Sequence, residues 1–194
     1  MKKLFALLLA VAMVLSMAAC TKTDDNKNND ENNTDPVNVP ASALEVLETI
    51  WGKMEAGFPI IGGNMESPVD GAPGNYDMAY AENMTYNLLV PADQLTNITE
   101  AASAIHMMNA NSFTSGVFHL AEGVTAADFA ATMQSAVQNN QWMCGFPETL
   151  VIAAIGGEYV LVAFGVNDAM TPFQTALTAA YPEAEILYNE AIGG

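Results

Sequence analysis

Few side chains in this chain can do chemistry. Cys144 stands in Trp142-Met143-Cys144-Gly145-Phe146, and the two imidazoles are His106 and His119. A nucleophilic cysteine acts as its thiolate and needs a cation or an imidazole beside it. The chain has no arginine, and beyond residue 40 its one lysine is Lys53. No second thiol stands at C-x-x-C spacing, so thioredoxin-type exchange lacks a partner. Cys144 therefore reads as a small buried hydrophobe, with a Cys144/His119 pair as the enzymatic alternative. If the segments carrying His106 and His119 pair as a hairpin, the two rings approach each other and Glu122 can complete a metal site. Neither H-x-x-x-H nor H-E-x-x-H spacing supports that, and solvent-facing or hydrogen-bonded histidines are the simpler expectation.

A second group, Asp70, Asn75, Tyr76, Asp77, Tyr80 and Glu82, gathers in and after a Gly/Pro-rich stretch. Tyr faces beside Asn and Asp suit a neutral sugar, and the carboxylates suit calcium. The EF-hand frame fails, because Gly74 falls at the fifth position from Asp70 and no glutamate stands at the twelfth. An exposed loop kept soluble by its acids is the plainer reading. Because no G-x-S-x-G, S-x-x-K, P-loop or dinucleotide fingerprint is present, no catalytic residue, cofactor or metal ligand is assigned.

The other cysteine, Cys20, has a different chemistry. Lys2 and Lys3 precede an apolar run from Leu4 to Met17, shorter than the ~20 residues a spanning helix needs. A basic start, a short apolar core and small residues before a cut site describe a signal peptide. Met17-Ala18-Ala19-Cys20 resembles the bacterial lipobox, whose cysteine receives a diacylglyceryl group. The expectation is a lipoprotein signal peptide over 1–19 and a lipid attachment point at Cys20. Acyl chains there would hold the protein on the extracytoplasmic face of the cell membrane.

Residues 21–40, TKTDDNKNNDENNTDPVNVP, carry almost no apolar surface with which to offset the entropy of ordering. With Cys20 they read as a disordered tether over 20–40, reaching on the order of 25 Å as a flexible coil. Residues 41–194 form one domain, and with Cys20 acylated no intrachain disulfide is available to it. The chain holds 22 acidic against 5 basic residues, a net charge of −17. Nucleic-acid binding requires cations to displace counterions, so it is excluded. Anionic ligands would have to be held without an Arg fork. Cationic partners, neutral ligands and divalent metals stay open.

The elements that must position these residues follow from local pattern. Ser42-Ala43-Leu44-Glu45 is a capping box, opening a helix over 42–56 with Leu44, Leu47, Trp51 and Met54 on its apolar stripe. Residues 57–74 read as a long turn-rich segment. Residues 84–90 read as a short strand, 93–97 as a turn of helix and 101–108 as a strand. Residues 116–121 read as a strand, and 124–139 as a helix that Thr125 can cap, with Phe129, Met133 and Val137 buried. Gly156-Gly157 between 150–155 and 159–164 is a hairpin signal. Thr171-Pro172-Phe173-Gln174 offers a helix start, running to Ala180. The segments GVFHLAEGVTAADFAATMQSAV and YVLVAFGVNDAMTPFQTALTAA share a plan. They predict an α+β fold: an N-terminal helix, then two β-β-α units forming a four-stranded antiparallel sheet with helices packed on one face.

With the lipobox and tether, the opening helix and its FPII turn, and NNQWMCGFPET followed by GGEYVLVAFG, the chain resembles small bacterial lipoproteins carrying domain of unknown function 4358. The resemblance spans roughly Ala41 to Ala180. It implies an extracytoplasmic lipoprotein and brings no functional residues with it. The expected function is a non-enzymatic binding or interaction module, tethered through Cys20 and taking a protein partner or a small neutral or cationic ligand. The alternatives are a small enzyme using the Cys144/His119 pair or a carboxylate-metal site, and a small solute-binding lipoprotein.

Cys20→Ala is expected to abolish acylation and to shift the protein from the membrane fraction to the medium, or to leave it unprocessed. Metabolic labelling with a radiolabelled fatty acid checks this; label retained by the variant would sink the anchor.

Overall fold

A computed structural model describes residues 39–55 and 57–193. The expected signal peptide, Cys20 and nearly all of the expected tether lie outside the described residues. Pro40, at the tether's end, is buried and lies against Gly156. Ser42 Oγ accepts from Glu45 N at 3.0 Å, while Ala41 N donates to Glu45 Oε2 at 2.7 Å. That reciprocal cap starts α1 (Ala43–Trp51). The helix stops at Gly52 rather than continuing to 56, and its buried stripe is Ala43, Val46, Leu47 and Ile50. Leu44, Trp51 and Met54 pack only partly against the core.

The strands are β1 (Ile60–Gly62), β2 (Val69–Asp70), β3 (Gly74–Asn75) and β4 (Ile98–His106), then β5 (Phe113–Leu120), β6 (Thr149–Ile155), β7 (Tyr159–Gly165) and β8 (Glu185–Ala191). The remaining α-helices are α2 (Met84–Asn87), α3 (Ala126–Gln138) and α4 (Asn167–Ala180). One sheet of eight strands runs in the order β2-β1-β4-β5-β7-β6-β8, with β3 also paired to β4, and every pairing is antiparallel. The α+β character stands, but the expected four-stranded sheet with helices on one face does not. The central four strands are extended at both edges, and helices cover both faces.

Alternation along the strands shows why. In β7, Tyr159, Leu161 and Ala163 join a core with α1 and α4, whereas Val160, Val162 and Phe164 join a second core with α3. β6 does the same, Val151 and Ala153 facing one way and Leu150 and Ile152 the other. Successive side chains of a strand point to opposite faces, so a near-continuous apolar run demands cover on both sides. The strand-strand-helix order occurs twice in the chain, yet α3 and α4 cross to opposite faces. On the first face Phe113 is the hub, within 5.0 Å (ring centroids) of both Phe58 and Phe173 and 6.2 Å of Trp51.

The Gly/Pro segment is not a free loop. β1 pairs with residues 104–106 and β3 with residues 102–103, so both lie along the same outer edge of β4. Gly62 and Gly74 permit this: a Cβ at Gly62 would collide with the backbone of 72–74. The buried Ser103 hydroxyl donates to the Gly63 carbonyl at 2.7 Å, and Asn64 Oδ1 accepts from Ser67 N (3.2 Å) and Ser67 Oγ (2.7 Å). At the other edge, Gln134 and Gln138 each donate to Glu190 Oε1 at 2.7 Å, tying α3 to β8.

Three further expectations are corrected. Residues 84–87 are helical rather than extended; Met84 and Leu88, four apart, are both buried, the spacing of a helical face. α4 starts at Asn167, because Glu148 Oε2 accepts from Asn167 N at 2.7 Å and supplies the cap from another segment; Pro172 then falls inside the helix. β8 is an additional strand.

Phe113→Ala is expected to cost about 3–5 kcal/mol of stability, and Phe113→Leu clearly less, measured by denaturant unfolding. Burial holds the phenols of Tyr76, Tyr159 and Tyr181 above the ordinary tyrosine value. In the unfolded chain they ionise near pH ~10, so deprotonation favours unfolding. The contribution of the neutral phenols is complete below pH ~10 and is lost as the pH rises through the folded values. Unfolding titrations from pH 8 upward should show this loss, and the Tyr76→Phe/Tyr181→Phe variant should show a shallower one.

Candidate functional site

The register of β4 and β5 decides the fate of the histidines. His119 lies opposite Glu100, whereas His106 lies at the other end of β4, paired with Ile60 of β1. The two segments do form a hairpin, but the strand rise between these positions separates the rings by roughly 20 Å. His119 Nε2 faces Glu158 Oε2 at 3.4 Å, Nδ1 meets Thr99 Oγ1 at 3.0 Å, and the ring stacks on Tyr159. His106 stacks on Phe58, and its Nδ1 accepts from Met108 N at 3.2 Å and Asn109 N at 3.3 Å. Both are structural histidines. Glu122 is exposed and joins neither, and among the described residues no group of three or more His, Cys, Asp or Glu is placed to hold a metal ion.

The acidic group around the Gly/Pro segment is likewise dispersed. Asp70 pairs with Ile61 and Asn75 with Ala102 as strand residues. Asp77 Oδ1 accepts from Ala79 N at 3.0 Å and caps a short 3-10 helix, Met78–Asn83, that carries the exposed Tyr80 and Glu82. Tyr76 is buried.

Cys144 is exposed, against the expectation of burial. Its φ of +62° lies in the left-handed region, followed by Gly145 at +137°. Two asparagines hold this loop to the turn before β5. Asn109 Nδ2 donates to the Cys144 carbonyl at 3.1 Å, and Asn111 Nδ2 to the carbonyls of Met143 (2.8 Å) and Gly145 (3.0 Å). The contact puts Cys144 at the His106 end of the sheet, away from His119, so the Cys144/His119 pair does not form. Carbonyl capture turns the Cys144 side chain out of the core, an outcome that the flanking Trp, Met and Phe concealed.

What this end of the sheet does hold is a cleft of about 310 Å³. Thr85, Tyr86 and Asn87 of α2 and the following Leu89 form one wall. Ala110, Asn111 and Thr114 form the second, and Asn140, Trp142 and Phe164 the third. The cleft opens where the second core runs out: Trp142 packs on Phe164 at 5.4 Å between ring centroids. Trp142 Nε1 is buried without a hydrogen-bond partner among the described residues. Leu89, at φ +57°, turns the chain sharply as it leaves α2. Apart from the Tyr86 phenol, the lining has no titratable side chain: no carboxylate, imidazole, thiol or amine. Three carboxamides, three hydroxyls (that of Tyr86 included) and three aromatic rings can orient a small polar molecule, but the lining supplies no general base or nucleophile of ordinary strength. Sequence reasoning missed these residues. The local signal was the Asn/Trp-rich break after α3, whose partners in α2 and before β5 are far away in the chain.

A thiol reagent is expected to label Cys144 in the native protein at a rate close to that of the denatured chain, followed by mass spectrometry. Cys144→Ala should change stability by no more than about 0.5 kcal/mol, as for an exposed position.

Among the described residues no helix is long and apolar enough to cross a membrane. Comparison of the chain with protein-family models, with curated proteins and with solved structures finds no match.

Proposed function

We propose that the protein is a non-enzymatic binding module, anchored by lipid at Cys20 on the extracytoplasmic face of the cell membrane, whose cleft takes a small polar ligand. The cleft lining carries this reading. Polar groups that orient and aromatic faces that stack converge in one cavity, the usual make-up of a small-molecule site, and the machinery of acid–base or nucleophilic catalysis is missing from its walls. Anchoring is supported by Lys2, Lys3, the apolar run and Met17-Ala18-Ala19-Cys20. The resemblance to lipoproteins carrying domain of unknown function 4358 points the same way. A chain of this acidity suits ligands that are neutral or cationic, since anions are repelled by the net charge of −17.

The test is a panel of small neutral and cationic solutes added to the protein while backbone amide signals are followed by NMR. A ligand is expected to shift Thr85, Tyr86 and Asn140 together, and Trp142→Ala should weaken it by about tenfold, the scale of losing one buried aromatic contact. Binding that ignores Trp142→Ala, or turnover of a solute at Cys144, would defeat the proposal.

A further inference from the structure

We infer that the exposed apolar surface beside the cleft is where a second copy of this chain docks. Tyr86, Met108, Met143 and Phe146 are 82%, 81%, 77% and 66% exposed, and Met107 is exposed as well. They share one end of the sheet. Met107 and Met108 directly precede Asn109, whose carboxamide holds the Cys144 carbonyl, and Asn111 holds the carbonyls of Met143 and Gly145. Tyr86 lines the cleft with Asn111 and Trp142. Exposed hydrophobes scattered singly are ordinary, but a cluster rich in Met and aromatic rings has the composition of an interface core. Methionine side chains are flexible and adapt to a facing ring or to each other.

Charge selects the occupant. The stretches that build this surface, 83–92, 101–121 and 129–147, hold no Asp, Glu, Lys or Arg, in a chain with 22 acidic residues. Glu148, the first carboxylate after Phe146, is turned to Asn167 N at 2.7 Å. A basic partner would be met by carboxylates, and a neutral one makes no demand on charge. A charge-free surface is required where the partner is itself strongly acidic, because opposed carboxylates repel. A second copy, at −17, is such a partner. The bilayer is a poorer occupant. Pro40, through which the chain enters the domain, lies against Gly156, in the turn beside the Ile155–Tyr159 pair. The apolar surface lies past the Phe113–Gly165 pair, at the other end of β7. Two-fold symmetry sets this surface against itself, which brings the two Cys144 thiols within reach of one linker.

The experiment treats native membranes carrying the full chain with a short bis-maleimide, which joins two thiols as thioethers and needs no oxidant. Cys144 is exposed on this surface. A species of twice the mass is expected, and its loss in Cys144→Ala excludes linkage through Cys20. Met108→Asp and Phe146→Asp, at positions too exposed to disturb the fold, should each lower the yield by about tenfold, the scale of a carboxylate brought into an apolar contact without a partner. Ile186→Asp, at an exposed apolar position of β8, should leave it unchanged. About 0.5 M salt should raise the yield, because it screens the repulsion between two acidic copies. The purified full chain should sediment as a dimer, and its Met108→Asp variant as a monomer. A yield indifferent to both Asp variants is random collision and overturns the inference. Linkage to a chain of another mass assigns the surface to a different protein and overturns it too. A monomer in sedimentation at either salt concentration, or a yield that falls with salt, does the same. None of these outcomes depends on what the cleft binds.

Discussion

The architecture depends on one constraint: the central strands of the sheet are apolar on both faces. β5, β7 and β6 are buried along almost their whole length, and their apolar side chains divide alternately between two cores. Neither core can form without cover, so α1 and α4 are held to one face and α3, with the short α2, to the other. With one cysteine in the domain and few ion pairs among the described residues, burial of these faces is the dominant stabilising term. The buried hydroxyls of Ser103, Thr114 and Ser115 do not conflict with it, because each donates to a backbone carbonyl.

A sheet so apolar at its centre must be protected at its edges. On one side the Gly/Pro segment folds back as β1, β2 and β3 and occupies the outer edge of β4. Gly62, Gly63 and Gly74 serve close packing of backbone on backbone. On the other side β8 is narrow, partly exposed and acidic, and Glu190 is held by two glutamines of α3. The acidity of the chain thus has a structural use at an unpaired strand edge, apart from any role towards ligands.

The cleft is a by-product of the same two-layer burial. The second face is covered by α3 over much of its length, and beyond the end of that helix the cover passes to Trp142, α2 and the asparagine-held loop. Where these three meet, apolar packing gives way to carboxamides and hydroxyls. Asn109 and Asn111 have a double part: they fix the 143–145 loop by capturing its carbonyls, and Asn111 also lines the cavity. Their use as loop anchors decides which hydrogen-bonding capacity is left for a ligand.

Local chemistry was legible in the sequence alone. The Ser42/Glu45 cap, the Thr125 cap of α3 and the Gly156-Gly157 turn, whose glycines have φ of +61° and +81°, each depend on residues a few positions apart, and each was read from spacing. Composition likewise determined that the domain carries a large negative charge and a single cysteine, Cys144, so that no disulfide can form within it. Tertiary structure decided the rest, wherever the partner is distant. α4 begins early because Glu148 supplies its cap. The Gly/Pro stretch becomes strand because β4 offers an edge. Met84 to Asn87 is helical, with Met84 and Leu88 buried in the second core. Cys144 faces solvent because asparagines more than thirty positions away capture its loop. The histidines part because register, not proximity of segments, sets which side chains meet. Hydrogen bonds and burial across such separations leave no periodicity in the sequence, and the cleft is assembled entirely from contacts of that kind.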